Sequence, residues 1–168
     1  KGWLMEQSYD ITAEEIGREL SQRAYTISCA ESCTGGLLTS MLTDVPGSSS
    51  YVLGSVVSYS NEVKNHILGV AEETLRTYGA VSSHTAQEMA ECIRRLMRAD
   101  IGVGITGIAG PGGGSAEKPV GLVYIAVADQ KKTDVKECHF LGTRAQIKKS
   151  SVQEAFLMIR NRVRGAFA

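Results

Sequence analysis

The segment at residues 29–36 constrains the fold more than any other part of the chain. It reads CAESCTGG, so hydroxyl groups, thiols and a pair of glycines stand between two apolar segments. Residues 25–30 are short and rich in strand formers, whereas apolar residues recur at helical spacing after the glycines. We therefore expect a strand-to-helix turn at Ser32. Such a turn lies at the carboxyl end of a sheet and directs backbone N–H groups towards a ligand or a developing oxyanion.

A plainer interpretation of this segment stays open. The glycines also suit an ordinary helix-capping loop, in which Ser32 or Thr34 does no more than cap the following helix. The eight residues by themselves favour neither interpretation.

Strands and helices are predicted to alternate along the rest of the chain. The strands are predicted at residues 25–30, 53–59, 101–106, 121–128 and 135–140. The helices are predicted at residues 12–20, 36–43, 61–68, 72–78, 83–99 and from 143 onwards, with caps at Thr12, Asn61, Thr85 and Thr143. The glycines of the strand at 101–106 indicate close backbone approach rather than side-chain packing.

This order of elements predicts an α/β fold. We expect a three-layer α/β/α sandwich on a mostly parallel, five-stranded mixed sheet with one antiparallel strand, the last two strands forming a hairpin. Because no long linker interrupts the pattern, residues 1–168 are expected to form a single domain. Within it, residues 1–10 are interpreted as a tag or a flexible lead-in.

The charge balance limits the classes of partner. Among 168 residues, Lys and Arg number 18 and Asp and Glu also number 18, so the formal net charge is zero. A nucleic-acid groove or a membrane-binding surface normally needs an excess of basic residues. No apolar run reaches the roughly 20 residues of a membrane span. We expect neither nucleic acid nor membrane as a partner, and a neutral or zwitterionic small molecule instead.

The cysteines and histidines do not form a metal-binding pattern. The four cysteines and three histidines are scattered without the spacing of metal ligands. We expect reduced thiols in a cytoplasmic protein, with no metal and no organic cofactor.

A glycine-rich segment follows the third predicted strand. Residues Gly102, Gly104 and Gly107 match the G-x-G-x-x-G dinucleotide pattern, but they fall within the strand and no helix follows, so we reject a dinucleotide fold. The loop at 107–115 also lacks the Gly-Lys-Ser/Thr ending of a nucleotide-binding P-loop. Its backbone donors nevertheless suit a phosphate or a ribose, with a purely structural turn as the alternative.

Ser32 needs an activating base, because a serine hydroxyl is a weak nucleophile. The topology places none of His66, His84 and His139 well for that role. Lys64 follows a strand end that should face the same sheet edge as Ser32, and a buried lysine can lose its proton. The alternative for Lys64 is a solvated surface charge.

Six sequence blocks carry a resemblance to a known family. They are AESCTGG at 30–36, TDVPGSS at 43–49, YSN at 59–61 with Lys64, GAVS at 79–82, GIAGP at 107–111 and KPVG at 118–121. Together they resemble the C-terminal domain of the CinA (competence/damage-inducible) family, also called nicotinamide-nucleotide amidohydrolases or NMN deamidases. The resemblance covers nearly the whole chain from about Ile11 onwards.

The resemblance implies hydrolysis of the carboxamide of nicotinamide mononucleotide to nicotinic acid mononucleotide and ammonia. The family's serine–lysine dyad corresponds to Ser32 as nucleophile and Lys64 as base, with Tyr59 beside the dyad. Arg144 is the expected phosphate partner. The full set of expected substrate-binding residues is Thr34, Gly35, Gly36, Ser48, Thr106, Gly107, Ala109, Gly110 and Arg144. The rival nucleophile Cys33 is expected only to pack.

Two matters stay open from the sequence. The molybdopterin-binding-like domain of longer family members has no counterpart in this sequence, so the chain is either a standalone deamidase or part of a longer protein. The alternative function is a non-catalytic nucleotide-binding or regulatory module. In either case a pyridine mononucleotide is the expected ligand, and we expect a homo-oligomer.

Overall fold

The computed structural model describes residues 10–165 and contains five strands and six α-helices in that range. The strands are β1 (Ile27–Glu31), β2 (Val52–Val57), β3 (Ile101–Gly107), β4 (Leu122–Ala128) and β5 (Thr133–His139). The helices are α1 (Ala13–Gln22), α2 (Leu37–Thr43), α3 (Asn61–Val63), α4 (Glu72–Tyr78), α5 (Ser83–Met97) and α6 (Arg144–Gly165). Apart from residue 10, the expected tag or lead-in lies outside the described residues.

The five strands form one mixed sheet in the order β2-β1-β3-β4-β5. Strand β1 pairs in parallel with both β2 and β3, whereas β4 pairs antiparallel with β3 and with β5. Thus β4 alone runs against the other four strands. The predicted sheet with one antiparallel strand, closed by a hairpin, is confirmed.

Helices cover both faces of the sheet. On one face, Ile27 and Cys29 of β1 join a core with Leu38 of α2 and Phe156 of α6. On the other face, Ala30 packs with residues of α5 such as Met89. Because β1 is covered on both sides, all five of its residues are buried. This gives the three layers that the sequence predicted.

The glycines of β3 allow α5 to lie directly against the sheet. A Cβ atom at Gly102 would collide with the carbonyl oxygen of Ala90, and one at Gly104 with that of Ala86. The predicted close backbone approach is therefore correct, and the dinucleotide pattern formed by these glycines is absorbed into a strand.

Two of the four predicted helix caps are confirmed. The Oγ1 of Thr12 accepts a hydrogen bond from the amide of Glu15 at 3.2 Å. At the start of α6, the amide of Thr143 donates to Gln146 and the amide of Gln146 donates back to the Thr143 hydroxyl. This reciprocal pair is the predicted capping box.

The other two predicted caps are wrong by one and three residues. Asn61 is the first residue of α3, because the side chain of Ser60 accepts from the amide of Val63. Similarly, Ser82 rather than Thr85 caps α5, because the Ser82 hydroxyl accepts from the Thr85 amide. Both errors arise where several capping residues stand close together, so that the sequence offers more than one start.

No helix described within residues 10–165 is long and apolar enough to cross a membrane. All four cysteines are free and buried. In the same part of the chain, no cluster of three or more His, Cys, Asp or Glu side chains is arranged to hold a metal ion.

Candidate active site

A cavity of about 280 Å³ opens at the edge where β1 and β3 end. Parallel strands place their carboxyl ends together, so the segments that follow β1 and β3 meet there. Eight of the expected site residues line this cavity: Ser32, Tyr59, Lys64, Thr106, Gly107, Ala109, Gly110 and Arg144. It is also lined by Cys33, Ala80, Val81, Ile108, Gly112 and Gly113, none of which was assigned to the substrate from the sequence.

Ser32 and Lys64 are in direct contact at the base of the cavity. The Nζ atom of Lys64 lies 2.9 Å from the Oγ of Ser32, which is hydrogen-bond distance. Ser32 directly follows β1 and is 7% exposed, and its amide donates to the carbonyl of Ile105 in β3. The structure thus brings together two residues that are 32 positions apart in the chain.

A π-helical turn holds Lys64 in place. Helix α3 changes at Lys64 into a wider turn over Lys64–Leu68, and the Lys64 carbonyl accepts from the amides of Gly69 and Val70. Single π turns inside helices are uncommon and often occur at functional sites. Here the turn buries Lys64 to 1% exposure.

Burial without a carboxylate partner among residues 10–165 favours the neutral form of Lys64. Its Nζ lies 2.7 Å from the carbonyl oxygen of Ser58 and 3.4 Å from that of Tyr59. No carboxylate in the described part of the chain forms a salt bridge with it. Burial in this uncompensated setting lowers the pKa of Lys64 to about 8.

The same three contacts orient the lone pair of a neutral lysine. A neutral amine has two N–H groups to donate and one lone pair to accept with. When the carbonyls of Ser58 and Tyr59 receive the N–H groups, the lone pair is left for the Ser32 hydroxyl. The arrangement can therefore remove the hydroxyl proton of Ser32.

Cys33 lies in an apolar environment that suppresses ionisation of its thiol. Its side chain is 6% exposed and belongs to the apolar core between the sheet and helices α2 and α6. Burial raises the pKa of the Cys33 thiol to about 12, so the reactive thiolate is scarce near neutral pH.

Arg144 links three segments at the mouth of the cavity. From the first position of α6, its Nη1 donates to the carbonyl of Gly110 at 2.8 Å and its Nη2 donates to the hydroxyl of Tyr59 at 3.0 Å. Tyr59 is 61% exposed, so its ring stands at the surface. Deeper in, the Thr106 hydroxyl donates to the carbonyl of Ala80, which orients the loop before α5.

Comparison with known proteins identifies the family. Residues 10–163 match the model of the CinA C-terminal domain. The chain belongs to this family. A CinA-like protein of Endomicrobium trichonymphae is 50% identical over 154 residues, which are 92% of this chain and 36% of that protein. A CinA-like protein of Desulforapulum autotrophicum is 55% identical over 126 residues, which are 75% of this chain and 30% of that protein.

Solved structures of the family share the fold of this CinA-family domain. The competence/damage inducible protein CihA from Agrobacterium tumefaciens aligns with a TM-score of 0.87 at 41% identity, over 94% of this chain and 97% of that one. A CinA superfamily protein from Klebsiella pneumoniae also gives a TM-score of 0.87, at 31% identity over 92% and 99% of the two chains. The curated relatives are much longer, since the chain spans about a third of their length.

Glu31 of this CinA-family domain was not assigned a role from the sequence, yet it is fully buried beside the nucleophile. One carboxylate oxygen accepts from the Thr34 hydroxyl and the Leu38 amide, and the other accepts from the amide and hydroxyl of Thr39. A signal for it exists in the sequence. A glutamate ends an otherwise uncharged strand, just before a helix whose start, at Gly36, has no side chain to cap it.

The remaining expected ligands in the nucleophile turn shape the turn and do not line the cavity. The Thr34 hydroxyl is engaged by Glu31, and the amide of Gly35 donates to the Ser32 carbonyl. Gly36 has a φ of +104°, which favours glycine. The expectation that the helix start offers free N–H groups is corrected, since the amides of Leu38 and Thr39 donate to Glu31.

Ser48 lies at the opposite edge of the sheet, in a 3₁₀ turn before β2. Helix α2 carries the chain back along the sheet, so the hydroxyl-rich turn at 44–50 reaches the edge where the parallel strands begin. Ser48 therefore lies away from the cavity, and the structure does not support its expected place among the substrate-binding residues. The three histidines, His66, His84 and His139, are exposed and none of them lines the cavity.

Proposed function

We propose that this CinA-family domain hydrolyses the carboxamide of nicotinamide mononucleotide, giving nicotinic acid mononucleotide and ammonia. Ser32 is the nucleophile and Lys64 is the base. The observation that carries the proposal is the 2.9 Å contact between the two side chains. The amine is buried, has a pKa of about 8 and forms no salt bridge with a carboxylate of residues 10–165. The choice of substrate follows from membership of the family and its resemblance.

The first half of the reaction forms an acyl-enzyme. The Ser32 hydroxyl gives its proton to Nζ of Lys64 while its oxygen attacks the carboxamide carbon. The resulting ammonium of Lys64 returns the proton to the amide nitrogen as the carbon–nitrogen bond breaks, and ammonia leaves. A water molecule then cleaves the ester: the neutral Lys64 accepts a proton from the water and passes it to the departing Ser32 oxygen, which restores the dyad. The electron-withdrawing pyridinium makes this carbonyl easier to attack than that of a peptide.

The amide of Cys33 is the first candidate for stabilising the oxyanion. It follows the nucleophile directly, as does one oxyanion donor of the strand–turn–helix serine hydrolases. Within residues 10–165 it has no backbone acceptor, and Cys33 lines the cavity. A single oxyanion donor lowers the barrier by about 3 kcal/mol.

Arg144 is suited to the phosphate of the substrate. A guanidinium has five N–H donors in a planar fork, and the contacts with Gly110 and Tyr59 use only part of them. Its position at the first residue of α6 adds the partial positive charge of a helix start. None of the described Asp and Glu residues lines the cavity, which also favours an anionic group.

The test is ammonia release from nicotinamide mononucleotide by the purified chain. We expect release by the wild type and none above background by Ser32→Ala or by heat-inactivated protein, with nicotinic acid mononucleotide identified by mass. Absence of ammonia with folded wild-type protein would remove the proposed activity.

A binding or regulatory module is the second candidate function. The observation that favours it is the length of the relatives, because the chain covers only 36% of the Endomicrobium trichonymphae protein. Calorimetric titration with nicotinamide mononucleotide distinguishes the two functions. Binding by the wild type without turnover would support the module, whereas turnover supports the enzyme.

A further inference from the structure

The carboxylate of Glu31 forms a complete set of hydrogen bonds, and no salt bridge within residues 10–165 involves it. Its oxygens receive the Thr34 hydroxyl at 2.7 Å, the Leu38 amide at 2.9 Å, the Thr39 amide at 3.0 Å and the Thr39 hydroxyl at 2.7 Å. These four donors occupy the roughly four lone-pair sites of a carboxylate. The carboxylate is completely buried, and its hydrogen bonds hold it in one orientation.

Two of these donors show that Glu31 caps helix α2 from a distance. The amides of Leu38 and Thr39 are those of the second and third helical residues, which an N-cap side chain normally receives. The N-cap residue here is Gly36, which has no side chain. A negative charge at this helix start is also favoured by the helix dipole. Glu31 therefore takes over the capping function five residues before the cap position.

The backbone of Glu31 belongs to the same network as the dyad. Its carbonyl accepts from the amide of Ser58 at 2.8 Å, and the carbonyl of Ser58 accepts from Nζ of Lys64 at 2.7 Å. On the other side in sequence, Ser32 begins the turn that Glu31 closes through Thr34. Glu31 thus contacts both ends of the nucleophile turn and the residue that orients the base.

We propose that Glu31 is a positioning residue for the reaction. It fixes the strand end and the helix start at once, so that the turn between them presents the Ser32 hydroxyl to Lys64 and the Cys33 amide to the oxyanion. Glu31 does not touch the substrate. The proposal rests on the proposed function, since it specifies how the nucleophile of that reaction is held.

The principal variant is Glu31→Gln. It preserves the shape of the side chain, but in either orientation its NH2 group meets one of the two pairs of donors, so the turn must rearrange. Displacing a reacting group by about 1 Å typically costs about 100-fold in rate. We expect kcat for ammonia release to fall about 100-fold in folded protein, as judged by circular dichroism, with KM unchanged. The midpoint of the pH–rate curve should also stay where it is, because Glu31 does not contact Nζ of Lys64.

A milder variant keeps the test informative if Glu31→Gln fails to fold. Thr39→Val removes one hydroxyl from the carboxylate and keeps the charge and the Thr39 amide bond, and we expect kcat to fall about 10-fold. The matched control is Thr43→Val in the last turn of the same helix. Its hydroxyl donates only to the carbonyls of Thr39 and Ser40, so kcat and KM should equal those of the wild type.

Several results would overturn the positioning role. If folded Glu31→Gln or Thr39→Val lost thermal stability but kept normal kcat, Glu31 would be merely structural. A displaced pH midpoint would make Glu31 an electrostatic partner of Lys64 instead.

Failure of the proposed function is recognised separately. If the wild type does not hydrolyse nicotinamide mononucleotide, a second readout is used. A fluorophosphonate labels Ser32, and the rate of labelling is measured by intact-protein mass spectrometry. Slower labelling of Glu31→Gln and Thr39→Val than of Thr43→Val supports the positioning role. Equal labelling of all variants, or no labelling of the wild type, overturns it.

Discussion

Replacing Lys64 by arginine separates the two roles that a cation near Ser32 can have. Arginine keeps the positive charge, but its guanidinium stays protonated at any working pH and cannot accept the Ser32 proton. If Lys64 is the base, Lys64→Arg must lose most of kcat, and Lys64→Ala must lose a similar amount. General-base catalysis contributes about 10²- to 10⁴-fold, so we expect a loss of about 1,000-fold in both variants.

The pH dependence of the wild type follows from the pKa of Lys64. With a pKa of about 8, about a tenth of the molecules carry neutral Lys64 at pH 7, against about one in 2,500 for a free lysine with a pKa of ~10.4. Burial therefore supplies a neutral base in useful amounts. Because the base must be unprotonated, kcat/KM should rise about tenfold per pH unit below pH 8 and level off above it.

The assay is ammonia release from nicotinamide mononucleotide between pH 6 and about pH 10. This range includes the pH values over which ionisation of Lys64 should make kcat/KM rise. Lys131→Arg is the matched control, since Lys131 is exposed in the turn between β4 and β5, and it should reproduce the wild-type curve. The residual activity of Lys64→Arg should lack the rising limb. Near-normal turnover by Lys64→Arg would make Lys64 an electrostatic anchor, and Tyr59 or a bound water would become the leading candidate for the base.

Three further predictions concern neighbouring groups. Cys33→Ala should keep kcat, because burial holds the pKa of that thiol near 12; a loss as large as that of Ser32→Ala would exchange their roles. Arg144→Ala should raise KM about 10- to 100-fold with little change in kcat, since a hydrogen bond to a charged group is worth about 1.5–3 kcal/mol, and an unchanged KM contradicts this. Urea unfolding of the wild type and Lys64→Met should show stability shifting in favour of the wild type by about 2.5 kcal/mol as pH rises from 8 to 10.5, because over most of that range the unfolded chain binds the lysine proton and the folded chain does not. A constant difference contradicts the lowered pKa.

The sequence alone predicts that Ser32 and Lys64 lie near each other. Each residue follows a predicted strand, and parallel neighbouring strands end at the same edge of a sheet, so topology alone brings the two segments together. The 2.9 Å contact depends on more than that. It also depends on the π turn at Lys64, which leaves no periodic signature in the sequence and leads into Leu68 and Val70, both packed against α5.

The turn containing Ser48 shows where local composition is insufficient. Its hydroxyl groups, proline and glycine correctly indicate a turn. Which edge of the sheet the turn occupies depends on the direction of α2, and α2 returns the chain to the edge opposite Ser32. Glu31 was missed for a related reason, because its contacts extend seven and eight residues along the chain and fit no local capping pattern.

A buried acid and a buried base flank Ser32, and the fold keeps them from pairing. Glu31 precedes the serine and Lys64 contacts its hydroxyl, yet none of the ion pairs within residues 10–165 joins the two. At a separation of 4 Å and an effective dielectric constant of about 20, such a pair gains about 4 kcal/mol. That attraction would raise the pKa of Lys64 above the value for a free lysine and leave almost no neutral base at pH 7. The four donors that fill the carboxylate of Glu31, and the two carbonyls that receive the N–H groups of Lys64, thus separate the charges and preserve the base.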